Sequence, residues 1–137
     1  MARARLYHRQ RCRRRGAALT ELAICLPLLS IVTLGSIEAA NGIYVRQKLV
    51  SVAYDLSRAV TVHGDPSASI PGKASALFST YGINGGTYSI SPANYAKAAP
   101  GTTITITVNA PMSRNSIGLT RLYGSITNSA SLSMAKG

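Results

Sequence analysis

The chain has 137 residues and a formal net charge of +11, with only four acidic residues. Once an apolar stretch near the start is set aside, this length leaves room for one small domain. Clustered arginines are typical of nucleic-acid binders, because they release counterions from phosphate. Seven arginines, however, lie within residues 1–16, so the remainder carries only +4. The distribution favours a basic N-terminal leader, and we expect no nucleic-acid partner.

An apolar segment, Ala17–Ala40, follows the leader directly. As a helix its 24 residues reach ~36 Å, which exceeds the ~30 Å hydrocarbon core of a bilayer. Its two charged residues, Glu21 and Glu38, lie near its ends. Positive residues beside such a segment keep their side in the cytoplasm, and the topology signal predicted here is Arg13, Arg14 and Arg15. The pattern predicts a single transmembrane helix over residues 17–40.

Two kinds of alternative explain the same charge pattern: a cleaved export signal and an RNA-binding segment. A cleaved secretory signal peptide also has a basic leader, but its apolar centre is normally shorter. Its small-residue cleavage pattern is poor here, since a cut after Ala39 or Ala40 places Ile37 or Glu38 at the third position back. A twin-arginine export signal is equally poor, because the arginines run straight into Gly16. Sequence-independent RNA binding by the arginines is the other alternative, and it leaves the apolar segment unexplained.

Residues that support catalysis are scarce outside the leader. Cys12 and Cys25 lie in the leader and in the apolar segment, so they cannot pair with each other. We expect Cys25 to be a small apolar packing residue. The part beyond residue 40 has one histidine, His63, and two acids, Asp55 and Asp65. We therefore predict no enzyme, no catalytic residue, no metal site and no cofactor.

The residues after the apolar segment have helical periodicity. Arginine, lysine and aspartate lie largely off an apolar stripe that consists of Val45, Leu49, Val52, Leu56 and Val60. This spacing predicts an amphipathic helix extension over residues 41–62. We expect the helix to end near His63-Gly64-Asp65-Pro66, because proline cannot continue a helix. Asn41-Gly42 is a possible break at the membrane surface.

The remaining residues, 63–137, form a predicted small exported β domain rich in Ser, Thr and Gly. The predicted elements are a short helix (Lys73–Tyr81), a turn (Asn84-Gly85-Gly86) and strands at Thr87–Ser91, Thr102–Val108 and Ser125–Met134. The middle strand is the clearest, because isoleucine and valine alternate with threonine. The predicted fold class is α+β: a long N-terminal transmembrane helix that continues as an amphipathic helix, then a small antiparallel sheet of about three strands.

The junction between the leader and the apolar segment carries a motif, RRRGAALTEL. Glu21 is the fifth residue after Gly16. The motif resembles the class III signal of type IV prepilins, in which a membrane aspartyl peptidase cuts after the glycine. The resemblance implies cleavage between Gly16 and Ala17. A glycine suits this position, because without a β-carbon its backbone can lie extended and close to a protease groove.

Two residues of the apolar segment have implied assembly roles. In pilins the glutamate that corresponds to Glu21 is thought to meet the N-terminal amine of a neighbouring subunit; the alternative is a glutamate that favours the positive helix end. Pro27 can kink the helix, as prolines of pilin-like helices often do, or it is merely tolerated there. Glu38 is expected to be solvated at the outer interface, with pairing to a neighbour's Arg46 or Lys48 as the alternative.

The stretch from Arg13 to about Val62 resembles TadE-like proteins of the tight-adherence (Flp pilus) system. The marks are the arginines and glycine, the first glutamate, Leu26-Pro27-Leu28, the second glutamate and Tyr44 with Arg46-Gln47. The resemblance implies a minor pseudopilin of a Tad/Flp-type pilus or secretion apparatus. It would lie in the bacterial inner membrane with a cytoplasmic N-terminus and a periplasmic or extracellular domain. Implied partners are prepilin peptidase, other pilins or pseudopilins, the inner-membrane assembly platform and the lipid bilayer. The alternative is an uncleaved, membrane-anchored exported binding module.

Overall fold

A computed structural model describes residues 2–61, 69–118 and 126–137, with side chains described from residue 16 onward. The elements, in chain order, are α1 (Ala2–Thr61), α2 (Ile70–Thr80), β1 (Thr87–Ser91), a 3-10 turn (Tyr95–Lys97), β2 (Thr103–Pro111), α3 (Met112–Asn115) and β3 (Thr127–Ala135). Two compact units, Met1–Ile37 and Glu38–Gly137, divide the chain and are described separately. A long apolar helix followed by a three-stranded antiparallel sheet confirms the predicted α+β class.

The first unit presents an apolar helical surface. Every side chain from residue 16 to 34 is exposed, and Ile24 reaches 74% exposure. Within the described chain, Gly16–Thr61 contains the one stretch of helix that is long and apolar enough to cross a membrane. Apolar surface left in water is unfavourable by roughly 25 cal/mol per Å². By length and composition this part of α1 is therefore suited to a bilayer, as the sequence predicts.

The hydroxyl groups of the apolar segment donate to carbonyls of their own helix. Ser30 Oγ lies 2.8 Å from Leu26 O, and Ser36 Oγ lies 2.8 Å from Val32 O. Equivalent bonds are made by Thr20 and Thr33. Water is absent from the hydrocarbon core, so polar groups there must find partners within the protein. These four hydroxyls are already bonded and do not oppose insertion into a membrane.

The second unit is built on the amphipathic part of α1. All five residues of the predicted stripe are buried, namely Val45, Leu49, Val52, Leu56 and Val60. The predicted amphipathic periodicity is therefore confirmed. The helix is not interrupted at Asn41-Gly42 and ends at Thr61. The predicted terminator, His63-Gly64-Asp65-Pro66, lies outside the described residues.

The sheet supplies the other half of the core. Its strand order is β1-β2-β3, and Ile106 in the central strand pairs with Ile90 and Leu132. Side chains alternate along β2, so that one face is buried and the other carries threonines. The buried face joins the α1 stripe and residues of α2 in one cluster: Ile104, Ile106, Val108, Ala110, Ile70, Ala74 and Phe78. On the outer face, Thr105 Oγ1 lies 2.8 Å from Ser133 Oγ.

Several predicted boundaries differ from the observed ones. Helix α2 begins at Ile70, before the predicted Lys73, because Pro71 fits the first turn of a helix. Strand β2 continues past the predicted Val108 to Pro111, where the alternation of buried and exposed side chains persists. Strand β1 has the predicted limits. The short helix α3 and the 3-10 turn were not predicted.

Candidate functional site

The predicted cleavage bond lies within α1. Gly16 and Ala17 are exposed, and the Thr20 hydroxyl is 3.1 Å from Gly16 O and 2.8 Å from Ala17 O. Apart from its own turns of helix, no described atom lies within 4 Å of a β-carbon built on Gly16. The bond is thus helical here, and a peptidase that binds an extended chain would have to open this turn. Glycine favours the opening, since it destabilises a helix by roughly 0.5–1 kcal/mol relative to alanine. The structure describes side chains from residue 16 onward, so those of the predicted topology signal lie outside the description: Arg13, Arg14 and Arg15.

Glu21 occupies the next helical turn. It is four residues beyond Ala17, so the two residues lie on the same face of α1, about 6 Å apart along the axis. The side chain is exposed, and no described residue forms a hydrogen bond or ion pair with it. A carboxylate at the edge of a membrane is costly when it lacks a partner. This placement leaves Glu21 accessible to a group from another molecule.

Pro27 lies inside the apolar part of α1, and the helix is assigned continuously through it. Its ring nitrogen has no hydrogen, so the carbonyl of Ala23 loses its usual helical donor. Cys25, two residues earlier, is exposed and unbonded. The predicted packing role of Cys25 therefore has no partner within the described chain.

Glu38 corrects the expectation of a solvated interface residue. The residue is only 4% exposed, and its Oε1 atom is buried with no hydrogen-bond partner among the described residues. Glu38 lines a pocket of about 210 Å³ together with Ala39, Gly42, Met112, Ile126 and Asn128. The prediction failed because residues distant in sequence, from α3 and from the start of β3, surround this helical turn. A single glutamate after an apolar segment carries no signal of such packing.

Asparagine side chains hold the segments near the Glu38 pocket. Asn128 Nδ2 donates to Gly42 O at 2.9 Å, and Asn41 Nδ2 donates to Asn115 O at 2.8 Å. Asn115 in turn bonds both the backbone N–H and the carbonyl of Asn84, each at 2.9 Å. These bonds connect α1, the turn before β1, α3 and β3. Sequence reasoning missed them, because isolated asparagines show no periodic pattern.

A second polar contact joins α2 to α1. Tyr81 donates a hydrogen bond to Asp55 Oδ2 at 3.1 Å. This hydrogen bond, and next the negative charge of Asp55, raise the pKa of Tyr81 above its ordinary value. Nearby, Lys48 Nζ lies 4.5 Å from the ring centre of Tyr44, which is a cation–π contact. Both contacts stabilise this side of the helix and neither resembles a catalytic arrangement.

Metal-binding residues do not cluster in the part of the chain that the structure describes. No group of three or more histidine, cysteine, aspartate or glutamate side chains is placed there to hold an ion. The described acids are spread along α1, at residues 21, 38 and 55. The sequence-based prediction that the chain is not an enzyme stays a prediction.

Comparison with known protein families gives one match. Residues 16–58 match the family model of TadE-like proteins. The match begins at Gly16, includes Glu21, Pro27 and Glu38, and ends within the buried stripe of α1. No curated protein and no solved structure matches the chain. The predicted resemblance is confirmed: residues 16–58 are similar to TadE-like proteins.

Proposed function

We propose that the chain is a minor pseudopilin, a structural or assembly subunit of a Tad/Flp-type pilus or secretion apparatus. One observation carries the proposal: the TadE-like match coincides with the exposed apolar part of α1, which bears Glu21 five residues after Gly16. The family connects the chain to the Tad system. The helix supplies the membrane anchor that a subunit needs before assembly.

The proposed processing step removes residues 1–16. Prepilin peptidase cuts the Gly16–Ala17 bond at the cytoplasmic surface, where the arginine-rich leader holds it. The second unit, Glu38–Gly137, is the distal unit of the protein. It lies in the periplasm or outside the cell, and the N-terminus stays in the cytoplasm. The new amine of Ala17 then adds a positive charge to the positive end of the helix. That charge is a suitable partner for a carboxylate on a neighbouring subunit.

The proposed partner of Glu21 is this amine on an adjacent pilin or pseudopilin. Glu21 is exposed and has no described partner within its own chain. A charge-assisted hydrogen bond is strong where water is excluded, which makes the pairing favourable within a membrane. Other proposed partners are the inner-membrane assembly platform and the bilayer. The proposal assigns no enzymatic activity, cofactor or nucleic acid to the chain.

Intact mass spectrometry tests the processing step. Co-expression with a prepilin peptidase should remove Met1–Gly16 and leave Ala17 as the N-terminus. Gly16→Leu should block the cut, because a branched side chain obstructs the peptidase groove, whereas Gly16→Ala should be partly tolerated. Gly35→Leu is a matched control, since Gly35 also lies in α1 with no atom within 4 Å of an added β-carbon. An unchanged mass of the wild-type chain would contradict processing.

Glu21→Gln separates the pseudopilin from the uncleaved, anchored binding module. The substitution keeps size and hydrogen bonding but removes the charge. The variant should be cleaved normally and stay in the membrane, yet fail to co-purify with other pilins. If Glu21 serves only the helix start, removing it changes local stability by about 0.3–1 kcal/mol and leaves assembly intact. If the fully processed variant co-purifies with other pilins as well as the wild type does, the assembly role of Glu21 is refuted and the anchored binding module is favoured.

A further inference from the structure

Glu38 is a buried residue whose Oε1 atom lacks a hydrogen-bond partner in the part of the chain that the structure describes. No described residue donates a hydrogen bond to this oxygen, although Glu38 is only 4% exposed. Burial of a charge is unfavourable unless the charge is paired, and a neutral carboxyl group also requires hydrogen bonds. The amide that lines the same pocket does not help, because Asn128 Nδ2 donates to Gly42 O and to Met112 Sδ. Among the described residues that line the pocket, none therefore offers a free donor to Glu38.

The pocket has the character of a site for a long cationic side chain. Its walls are largely apolar, formed by Ala39, Gly42, Met112 and Ile126, with the carboxyl group of Glu38 among them. Arginine and lysine place their methylene stems along apolar surface and their charged ends on a polar group. A guanidinium also donates two parallel hydrogen bonds to one carboxylate. A cation from another molecule would fill this site.

The exposed part of α1 carries a suitable cation. Three positive residues lie on α1 within the second unit: Arg46, Lys48 and Arg58. Lys48 already contacts the Tyr44 ring. Arg46 and Arg58 are exposed, and no described residue bonds to either of them. Both arginines therefore have a free guanidinium that a neighbouring molecule can contact.

The thickness of the bilayer favours Arg46 over Arg58 as the contact residue. Two parallel copies share one bilayer, so their helices can be offset only slightly along the axis. The apolar segment of ~36 Å exceeds the ~30 Å hydrocarbon core by roughly 6 Å, which sets the available offset. Arg46 is eight residues from Glu38, or ~12 Å along the helix, and a long side chain covers the difference. Arg58 is twenty residues away, or ~30 Å, which would pull most of one apolar segment out of the membrane.

We propose that the Glu38 pocket receives Arg46 from a second copy of this chain. The contact rests on the proposed function, because it forms only when subunits lie side by side. It is heterologous: a copy that donates Arg46 to one neighbour keeps its own Glu38 pocket open for another. Contacts of this kind join more than two subunits, into a ring where the rotation between neighbours closes and into an open row where it does not. Glu21 would pair one subunit with the next inside the membrane, and Glu38 would do so where α1 enters the distal unit.

Co-purification of two differently tagged full-length copies from membranes tests this contact. Arg46→Gln in both copies should lower the recovered second copy at least about tenfold, since truncating one partner of a buried charge pair has effects of that size or larger. Arg58→Gln is the matched control and should change nothing. Arg46 is exposed, so its substitution leaves the fold intact. Wild-type recovery with Arg46→Gln would overturn the proposal.

A double-mutant comparison identifies the pair. If Glu38 and Arg46 contact each other, Glu38→Gln combined with Arg46→Gln should be no weaker than either single variant, because the second change removes nothing further. If the two substitutions lower the recovery of the second copy additively, the pairing is refuted. It is also refuted if Lys48→Gln lowers the recovery and Arg46→Gln does not. Absence of self-association in the wild type would also overturn it. That result leaves the proposed function standing, because processing and capture of other pilins are measured independently.

Discussion

Alanine in place of Gly86 should destabilise the distal unit by crowding one aromatic ring. A β-carbon at this position would lie 2.5 Å from Cδ1 and Cε1 of Phe78. Carbon atoms pack best at ~3.5–4.0 Å, so the ring has to move by roughly 1 Å. Phe78 is a buried member of the core and contacts the rest of the cluster, which restricts that movement. Overpacking of this kind typically costs about 1–3 kcal/mol.

The matched control is the same substitution at Gly72. This residue lies in the first turn of α2, and no described atom outside the local helix backbone is within 4 Å of an added β-carbon. Alanine there should stabilise the fold by about 0.4–1 kcal/mol, because it reduces the freedom of the unfolded chain. The two variants therefore contain the same substitution but should change the free energy of unfolding in opposite directions.

Thermal melting of the full chain in detergent measures the difference. Tyrosine near-ultraviolet circular dichroism reports the distal unit, because six of the seven tyrosines lie beyond residue 40. For a unit of this size each kcal/mol shifts Tm by about 4–8 °C, so Gly86→Ala should lower Tm by about 5–20 °C and Gly72→Ala should raise it slightly. Phe78→Leu combined with Gly86→Ala should lose less than the sum of the single effects. A Tm for Gly86→Ala at or above that of the wild type would refute the reasoning.

Three further predictions concern the core, the pH dependence and the topology. Leu56→Ala should lower the free energy of unfolding by about 2–5 kcal/mol in denaturant titrations, because Leu56 is fully buried. Ile43→Ala, at an exposed site, should change it by less than about 0.5 kcal/mol. Equal effects of the two substitutions would contradict the assigned core. The raised pKa of Tyr81 means that its stabilising contribution is present below the ordinary tyrosine pKa of about 10 and is lost as pH rises through the folded value. Tyr81→Phe should therefore lose less stability than the wild type between about pH 9 and 12, and parallel curves would speak against the Asp55 bond. Reporter domains joined after position 72 should be exported and those joined before position 13 should stay in the cytoplasm; the reverse orientation would end the pseudopilin proposal.

The elements that sequence analysis predicted correctly are those with periodic burial. In α1, the stripe from Val45 to Val60 repeats at the helical period, and in β2 the isoleucines alternate with threonines. Such patterns arise because each element buries one face against a shared core. The limits of α2 and β2 were less accurate. Proline at a helix start and asparagine within a strand follow local context more than average propensity.

The candidate site was only partly accessible from sequence. The Gly16 and Glu21 spacing pointed to the region that the TadE-like match later covered. The burial of Glu38 depends on Met112, Ile126 and Asn128, which lie more than 70 residues away. A pattern within one segment cannot report contacts at that separation. For the same reason the asparagine bonds around Asn115 became visible only in three dimensions.

The alternation in β2 limits how this protein can change length during evolution. Ile104, Ile106, Val108 and Ala110 face the core only because each is two residues from the next, and β2 pairs with a strand on both sides. One inserted residue would turn these side chains outward and bring threonine hydroxyls into the core on every strand position that follows. Insertions and deletions should therefore be confined to the connections between elements. Relatives of different length should keep nine uninterrupted residues in this strand and vary in the chain that joins β1 to β2 or α3 to β3.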